Sequence, residues 1–214
     1  MGENQHRRQA RRQPRGLRRV EEILNAATQV FAEVGYDEAT TQAIAARAAI
    51  SPGSLYQFFP NKEAIARALA TRYSEQLLLI HDTGLAREAA RLPLPAFLDR
   101  AIDPIVAFNR AHPALTTLFG GARASPQLAG VLDDLHAEVV RRLDAVLEAR
   151  DPRLDPAHRW RAATVSLQIV LALLPLTMDP DAMQGDAMVG EMKAALHGYL
   201  AAVFGVPATD DRSA

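Results

Sequence analysis

Four polar side chains fall within seven residues at Ser51, Ser54, Tyr56 and Gln57, spaced around Pro52, Gly53 and Leu55. Two chemistries could use such a set. Serine nucleophiles need a general base within hydrogen-bond reach and often a strained turn such as Gly-x-Ser-x-Gly. This stretch has no such elbow and no histidine nearby in sequence. The other chemistry is recognition. Hydroxyls and free backbone N–H groups at the start of a helix suit phosphate oxygens. A tyrosine hydroxyl can donate to phosphate, and a glutamine can read an adenine edge.

The remaining residues argue against catalysis. A glycine-rich phosphate loop is absent, and Asp133-Asp134 sits mid-helix as solvated charge. The six histidines lack metal-ligand spacing such as HExxH. No cysteine is present, which excludes disulfides, thiolate zinc and iron–sulfur ligation and fits a reducing cytoplasm. No enzyme, metal or cofactor is expected.

Charge is divided along the chain. Residues 1–72 hold eleven Lys and Arg against seven Asp and Glu, whereas residues 73–214 hold thirteen against eighteen. Arginines 7, 8, 11, 12, 15, 18 and 19 face only Glu3 in the first twenty residues. A basic head on an acidic body points to a polyanion at one end. With 49% hydrophobic residues in 214, a sizeable core is expected. The longest uncharged run, Ala162 to Met178, is too short and too interrupted for a membrane span and reads as a buried helix.

Helical spacing predicts the elements that position the polar set. Val20, Ile23, Leu24, Ala27, Phe31 and Val34 make one apolar face, and Gly35 ends that helix. Thr41 is placed as the cap of a second short helix, and Ser51 as the cap of a third with Pro52 in its first turn. Phe59-Pro60 closes the third, and Asn61 caps a fourth whose ladder is Ile65, Leu69, Tyr73, Leu77 and Ile80. Further helices are expected over about 94–111, 126–149, 156–178 and 185–204. The fold class is all-α. Two short helices joined near Ala49-Ile50, with small residues between them, are what a helix-turn-helix needs.

The stretch "VEEILNAATQVFAEVGYDEATTQAIAARAAISPGSLYQFFPNKEAIARALA" closely resembles the N-terminal domain of TetR-family transcriptional regulators. The marks are "FAEVGYDEATT", the "IA" pair, "SPGSLYQFF" and "NKEAI", in order and spacing over about fifty residues. Ala49 stands where the family usually has glycine, and Phe58 where it usually has Tyr or His. The resemblance implies DNA-backbone contacts from Thr41, Tyr56 and Lys62. It implies base-side contacts from Ser51, Pro52, Gly53, Ser54 and Gln57. Arg15 and Arg18 join this set through the basic arm, by minor-groove entry or by phosphate contact. Expected divisions are a flexible basic arm over 1–16, a DNA-binding domain over 17–62, a ligand-binding and dimerisation domain over 63–206 and a frayed tail over 207–214.

The resemblance implies a homodimer through the last two long helices, a double-stranded palindromic operator and a small-molecule effector, with no membrane partner. A largely apolar effector pocket is expected among the helices from 94 to 178. Its candidate residues are Phe97, Ile105, Phe108 and His112 along one stripe, with the polar groups Asn109, His136 and Gln168 and the apolar walls Phe119, Leu132 and Trp160. Pro104 is expected to kink the stripe's helix. The function expected is a ligand-released repressor. An activator of the same family and an architectural DNA-binding protein without ligand control are the alternatives.

Overall fold

The computed structural model describes residues 3–113, 126–178 and 181–205. They form eight α-helices, two short 3-10 helices and no strand. Helix α1 is Glu3–Glu38, α2 Thr41–Arg47, α3 Pro52–Tyr56, α4 Lys62–Gly84, α5 Leu94–Ala111, α6 Pro126–Arg150, α7 Pro156–Leu173 and α8 Ala182–Val203. The 3-10 helices are Arg87–Arg91 and Leu174–Met178. Residues 3–16, expected to form an arm apart from the domain, continue the backbone of α1.

Helices α1 to α3 form the head. Ile23, Leu24, Ala27 and Phe31 bury the predicted face of α1, while Val34 beyond them is half exposed. The helix breaks at Gly35, whose φ of 78° and ψ of 168° are open to glycine. Glu33 then holds Arg47 of α2 through two hydrogen bonds of 2.8 and 2.6 Å. That pair is solvent-exposed, so apolar packing carries more of the α1–α2 contact.

The caps follow the sequence with one correction. Thr40, not Thr41, caps α2: its Oγ1 accepts from the Ala43 N–H at 3.1 Å. Of two adjacent threonines, Thr40 has the extended backbone a cap requires, and Thr41 becomes the first helical residue. Ser51 caps α3 by accepting from Ser54 N–H, and Asn61 caps α4 by accepting from Ala64 N–H at 2.8 Å. Between α2 and α3 the chain turns at Ala49, whose φ is +52°. The Ile50 N–H closes the turn on Ala45 O at 3.0 Å.

Helix α4 joins head and body. Its ladder of Ile65, Leu69, Tyr73 and Leu77 is buried throughout. In the body α4 packs against α5 and α6, α6 packs against α7, and α8 packs against α7 and α5. One continuous apolar core reaches from Ile23 to Leu200. Within it the Tyr73 hydroxyl donates to Asn109 Oδ1 at 2.7 Å, and Asn109 Nδ2 donates to Ile105 O at 2.9 Å. Burial pushes the Tyr73 phenol up to about 12, so it stays a neutral donor.

Helix α5 runs through Pro104 as one helix, Leu94–Ala111. Proline has no N–H for the carbonyl four residues back, here that of Arg100. That carbonyl lies where α4 ends: a Cβ on Gly84 would come within 3.2 Å of Arg100 O and 3.3 Å of Ala101 Cα. Glycine at 84 therefore lets the two backbones approach closely. The last uncharged run is less buried than expected. Ala162, Ala163, Ser166, Leu167 and Thr177 are buried, but Val165 and Leu176 are 39% and 52% exposed, and Trp160 just before the run is 46% exposed. By length and composition Pro156–Met178 is apolar enough to cross a membrane, and only part of it is buried among the described residues.

Ala49 supplies the first test. An alanine in the left-handed region costs roughly 1–2 kcal/mol relative to favoured backbone, a cost that glycine escapes. Ala49→Gly is expected to raise stability by about 1 kcal/mol, part of that relief being lost to chain entropy. Urea unfolding of the two proteins measures it.

Candidate functional site

The head presents one polar face. Leu55 of α3 and Ile44 and Ala45 of α2 are fully buried, so the two helices meet through small and branched apolar groups. On the outside lie Ser51, Pro52, Gly53, Tyr56 and Gln57, all exposed, with Ser54 half-buried among them. A Cβ at Gly53 would meet nothing, so the chain's own packing does not demand a glycine there. The bare backbone leaves room for another molecule's close approach.

Two hydrogen bonds arrange the hydroxyls on this face. Thr41 Oγ1 and Tyr56 Oη lie 3.0 Å apart, joining α2 to α3. Ser51 Oγ and Ser54 Oγ lie 2.9 Å apart at the start of α3. The structure thus brings Thr41, Ser51, Pro52, Gly53, Ser54, Tyr56 and Gln57 onto one surface. Lys62 stands apart in its role. Its Nζ donates to the carbonyls of Tyr36 at 2.8 Å and Asp37 at 3.0 Å, and sits 4.6 Å from the centre of the Tyr36 ring. It clamps the start of α4 to the end of α1. Arg18 is exposed on α1, and the side chain of Arg15 lies outside the described residues.

The body holds an apolar cavity of about 60 Å³ between α4, α5, α6, α7 and α8. Of the expected pocket residues, Phe97 and Ile105 line it. Phe108, Asn109 and His112 cluster elsewhere, at the far end of α5. There Phe108 packs on Tyr73 and His112, with ring centres 5.5 and 4.4 Å apart, and His112 Nδ1 lies 2.8 Å from Phe108 O. Leu132 and His136 are half-buried on α6 away from the cavity, while Trp160 and Gln168 are exposed on α7. Phe119 lies outside the described residues.

Sequence reasoning missed the two polar groups that do line the cavity, His81 of α4 and Ser166 of α7. Burial, reinforced by the nearby Arg142 charge and opposed by Asp82, pushes the His81 imidazole down to about 4. Arg142 itself is engaged with Asp82 at 2.6 Å, Glu138 at 2.7 Å and Leu78 O at 2.8 Å. Among the described residues no Lys, Arg, Asp or Glu lines the cavity. Among the described residues no group of three or more His, Cys, Asp or Glu could hold a metal ion.

A head with two short helices in a tight turn, on a long helix entering a helical body, defines a helix-turn-helix DNA-binding protein. Residues 23–69 match the family described as bacterial regulatory proteins, tetR family, and residues 93–200 match the Tetracyclin repressor-like C-terminal domain. The chain belongs to the TetR family of transcriptional regulators, which are DNA-binding proteins and not enzymes. It is 33% identical over 122 residues to the HTH-type transcriptional regulator UidR of Escherichia coli strain K12, covering 55% of this chain. That match spans 58% of the relative's length. A TetR-family regulator from Streptomyces coelicolor shares the fold with a TM-score of 0.60 and 27% identity, over 86% of this chain and 99% of that one. The regulator FadR from Bacillus subtilis, solved in complex with stearoyl-CoA, matches with a TM-score of 0.64 and 18% identity, over 82% of this chain and 96% of that one.

The depressed His81 gives a pH dependence with a definite sign. An unfolded histidine takes up a proton near 6.5, while folded His81 resists until about 4, so stability falls as pH drops through that window. Burial also pushes His136 down, and adds in the same direction. Unfolding free energy is expected to fall by about 1–2 kcal/mol from His81 between pH 7 and pH 5. Denaturant titrations should show that dependence flattened in His81→Phe.

Proposed function

We propose that the chain is a homodimeric repressor that a small effector releases from a palindromic operator. The observation carrying this reading is the continuity between face and cavity. The polar face rests on a head clamped by Lys62 to one end of α4, and His81 near the other end walls the cavity. In this reading α3 enters the major groove. Ser51, Pro52, Gly53, Ser54 and Gln57 meet base edges, Thr41 and Tyr56 hold phosphate, and Arg15 and Arg18 add phosphate contacts from α1. Lys62 enters as the brace that sets the head on α4.

A second copy covers the exposed side of α7 and α8. Trp160, Val165, Leu176 and Met183 are exposed apolar side chains with no cover among the described residues. Gly190 and Gly198 of α8 have open space where a Cβ would stand. Glycine inside a helix costs about 1 kcal/mol relative to alanine, and close approach of a partner helix offsets that cost. The dimer sets two heads against half-sites one helical turn apart. The chain works in the cytoplasm, where that DNA is found. An effector lowers operator affinity only through its preference for the head spacing that DNA disfavours.

Selection of bound sequences from a random DNA pool tests the reading. Inverted half-sites with centres about 34–36 Å apart are expected. Gln57→Ala should weaken binding to the selected site about tenfold and relax preference at one base pair, with the dimer intact. Salt-sensitive binding without sequence preference would instead leave an architectural DNA-binding protein.

A further inference from the structure

Seven of the first nineteen residues are arginine, and the reading above gives a task to Arg15 and Arg18 alone. Because residues 3–16 continue the backbone of α1, all seven positions can be placed on one helix. At about 100° per residue, positions 7, 8, 11, 12, 15, 18 and 19 fall within about 140° of its circumference. Steps of seven residues, close to two turns of about 3.6, follow this stripe into the head. Positions 8 and 15 lead to Glu22 and Gln29, and positions 12 and 19 lead to Ala26 and Glu33. Arg47 of α2 donates to Gln29 at 3.3 Å and to Glu33 at 2.8 and 2.6 Å, and Ala26 is buried. The arginine stripe therefore extends the side of α1 that meets α2, the helix that crosses the DNA backbone in a helix-turn-helix. Like charges at i and i+4 destabilise a helix, and positions 7–11, 8–12, 11–15 and 15–19 are all such pairs. Glu3 is the only acid among the first twenty residues, and Glu22 beyond them is engaged by Arg19 at 2.7 Å. A polyanion beside the stripe relieves that repulsion.

Resting on the operator reading above, we propose that the N-terminal part of α1 is a second DNA contact, a basic helix that lies along the phosphates of the duplex flanking each half-site and reads no sequence. Its form excludes the minor groove: a helix is about 10–12 Å across, and that groove is about 6 Å wide. Guanidinium groups match phosphate oxygens, so a single face of arginines fits a sugar-phosphate strand. From position 7 to position 19 the helix rises about 18 Å at 1.5 Å per residue, a span of about five base pairs at 3.4 Å each. An anionic membrane surface is the rival partner. A helix that lies on lipid needs a large apolar face opposite its charges. Here His6, Gln9, Ala10, Gln13 and Leu17 occupy the opposite side of the register, and only Leu17 among them is a large apolar residue. DNA fits this composition and lipid does not.

The test uses the full chain and two duplexes carrying the same selected site. One ends at the outer edges of the half-sites, and the other has about ten further base pairs on each side, twice the expected reach. Affinity is read by fluorescence anisotropy over a series of salt concentrations. The flanks should raise affinity at least about tenfold and steepen the salt dependence by roughly two to four phosphate contacts per half-site, each worth about 0.9 in the logarithmic slope. Arg7→Gln, Arg8→Gln, Arg11→Gln and Arg12→Gln combined keep helix propensity, and should abolish both gains while affinity for the short duplex changes less than about threefold. Ala10→Pro keeps every charge but breaks the helix within the stripe, and should lose most of the flank effect, which a loose arm would retain. Equal affinity for the two duplexes, a flank effect that survives the four glutamines or Ala10→Pro, or one that depends on A·T content would each overturn the proposal. Attachment to phosphatidylserine vesicles that the glutamines abolish while sparing DNA would overturn it in favour of a membrane. Failure of the operator reading looks different. If no inverted site is selected, random-sequence duplexes of the two lengths replace it, and a length effect lost with the glutamines keeps the basic helix while the operator falls. A selected inverted site bound equally with and without flanks keeps the operator, and the basic helix falls.

Discussion

Helix α4 is the constraint on which the rest depends. It is one unbroken helix of 23 residues, and both its ends are committed. At the start, the Asn61 cap and the Lys62 clamp on Tyr36 and Asp37 fix it to the head. Near the end, His81 stands in the cavity wall and Gly84 lies backbone to backbone against α5. Lys62 and His81 are about 28 Å apart along the axis at 1.5 Å per residue. The buried ladder between them, with Tyr73 bonded to Asn109, leaves little freedom for one end to move without the other. A small change of cavity shape therefore has a stiff lever to act on.

The head shows what its surface role demands. A turn that buries Ile44, Ala45 and Leu55 while exposing Ser51, Gly53 and Gln57 must be very tight, and the chain reverses at Ala49 in a conformation that alanine resists. The strain persists because the bond from Ile50 N–H to Ala45 O and the packing on both sides hold it. The hydroxyl pairs Thr41–Tyr56 and Ser51–Ser54 preset side chains that would otherwise turn freely. Phe58, 37% exposed, adds apolar surface at the edge of that face.

Much of this could be read before the fold was seen, and the failures have identifiable causes. Helix α5 lies at Leu94–Ala111, where its spacing put it, and the caps Ser51 and Asn61 hold the bonds their chemistry predicts. The Thr40–Thr41 pair misled because either residue type can cap; only backbone geometry distinguishes them. The cavity was harder to read. Periodicity says which face of a helix is buried, but not which part of that face meets empty space. Phe97, Ile105 and Phe108 share a stripe, yet the first two meet the cavity and the third meets Tyr73. Asn109 is engaged by Tyr73 and Ile105 within the core instead of facing the cavity. Trp160 and Gln168 were assigned inward on a helix apolar on more than one side, and only the packing of α7 on α6 and α8 shows which side faces out.

Whether cavity shape governs the heads can be asked without any ligand. Ser166→Leu places an apolar side chain in the cavity and removes the orphaned hydroxyl in the same step. Operator affinity of that variant, with dimer and thermal stability checked in parallel, is the direct measurement. Weakened DNA binding by an intact, folded dimer is the outcome expected if α4 carries strain from cavity to head. Wild-type affinity in a dimer whose cavity is demonstrably filled would contradict that coupling.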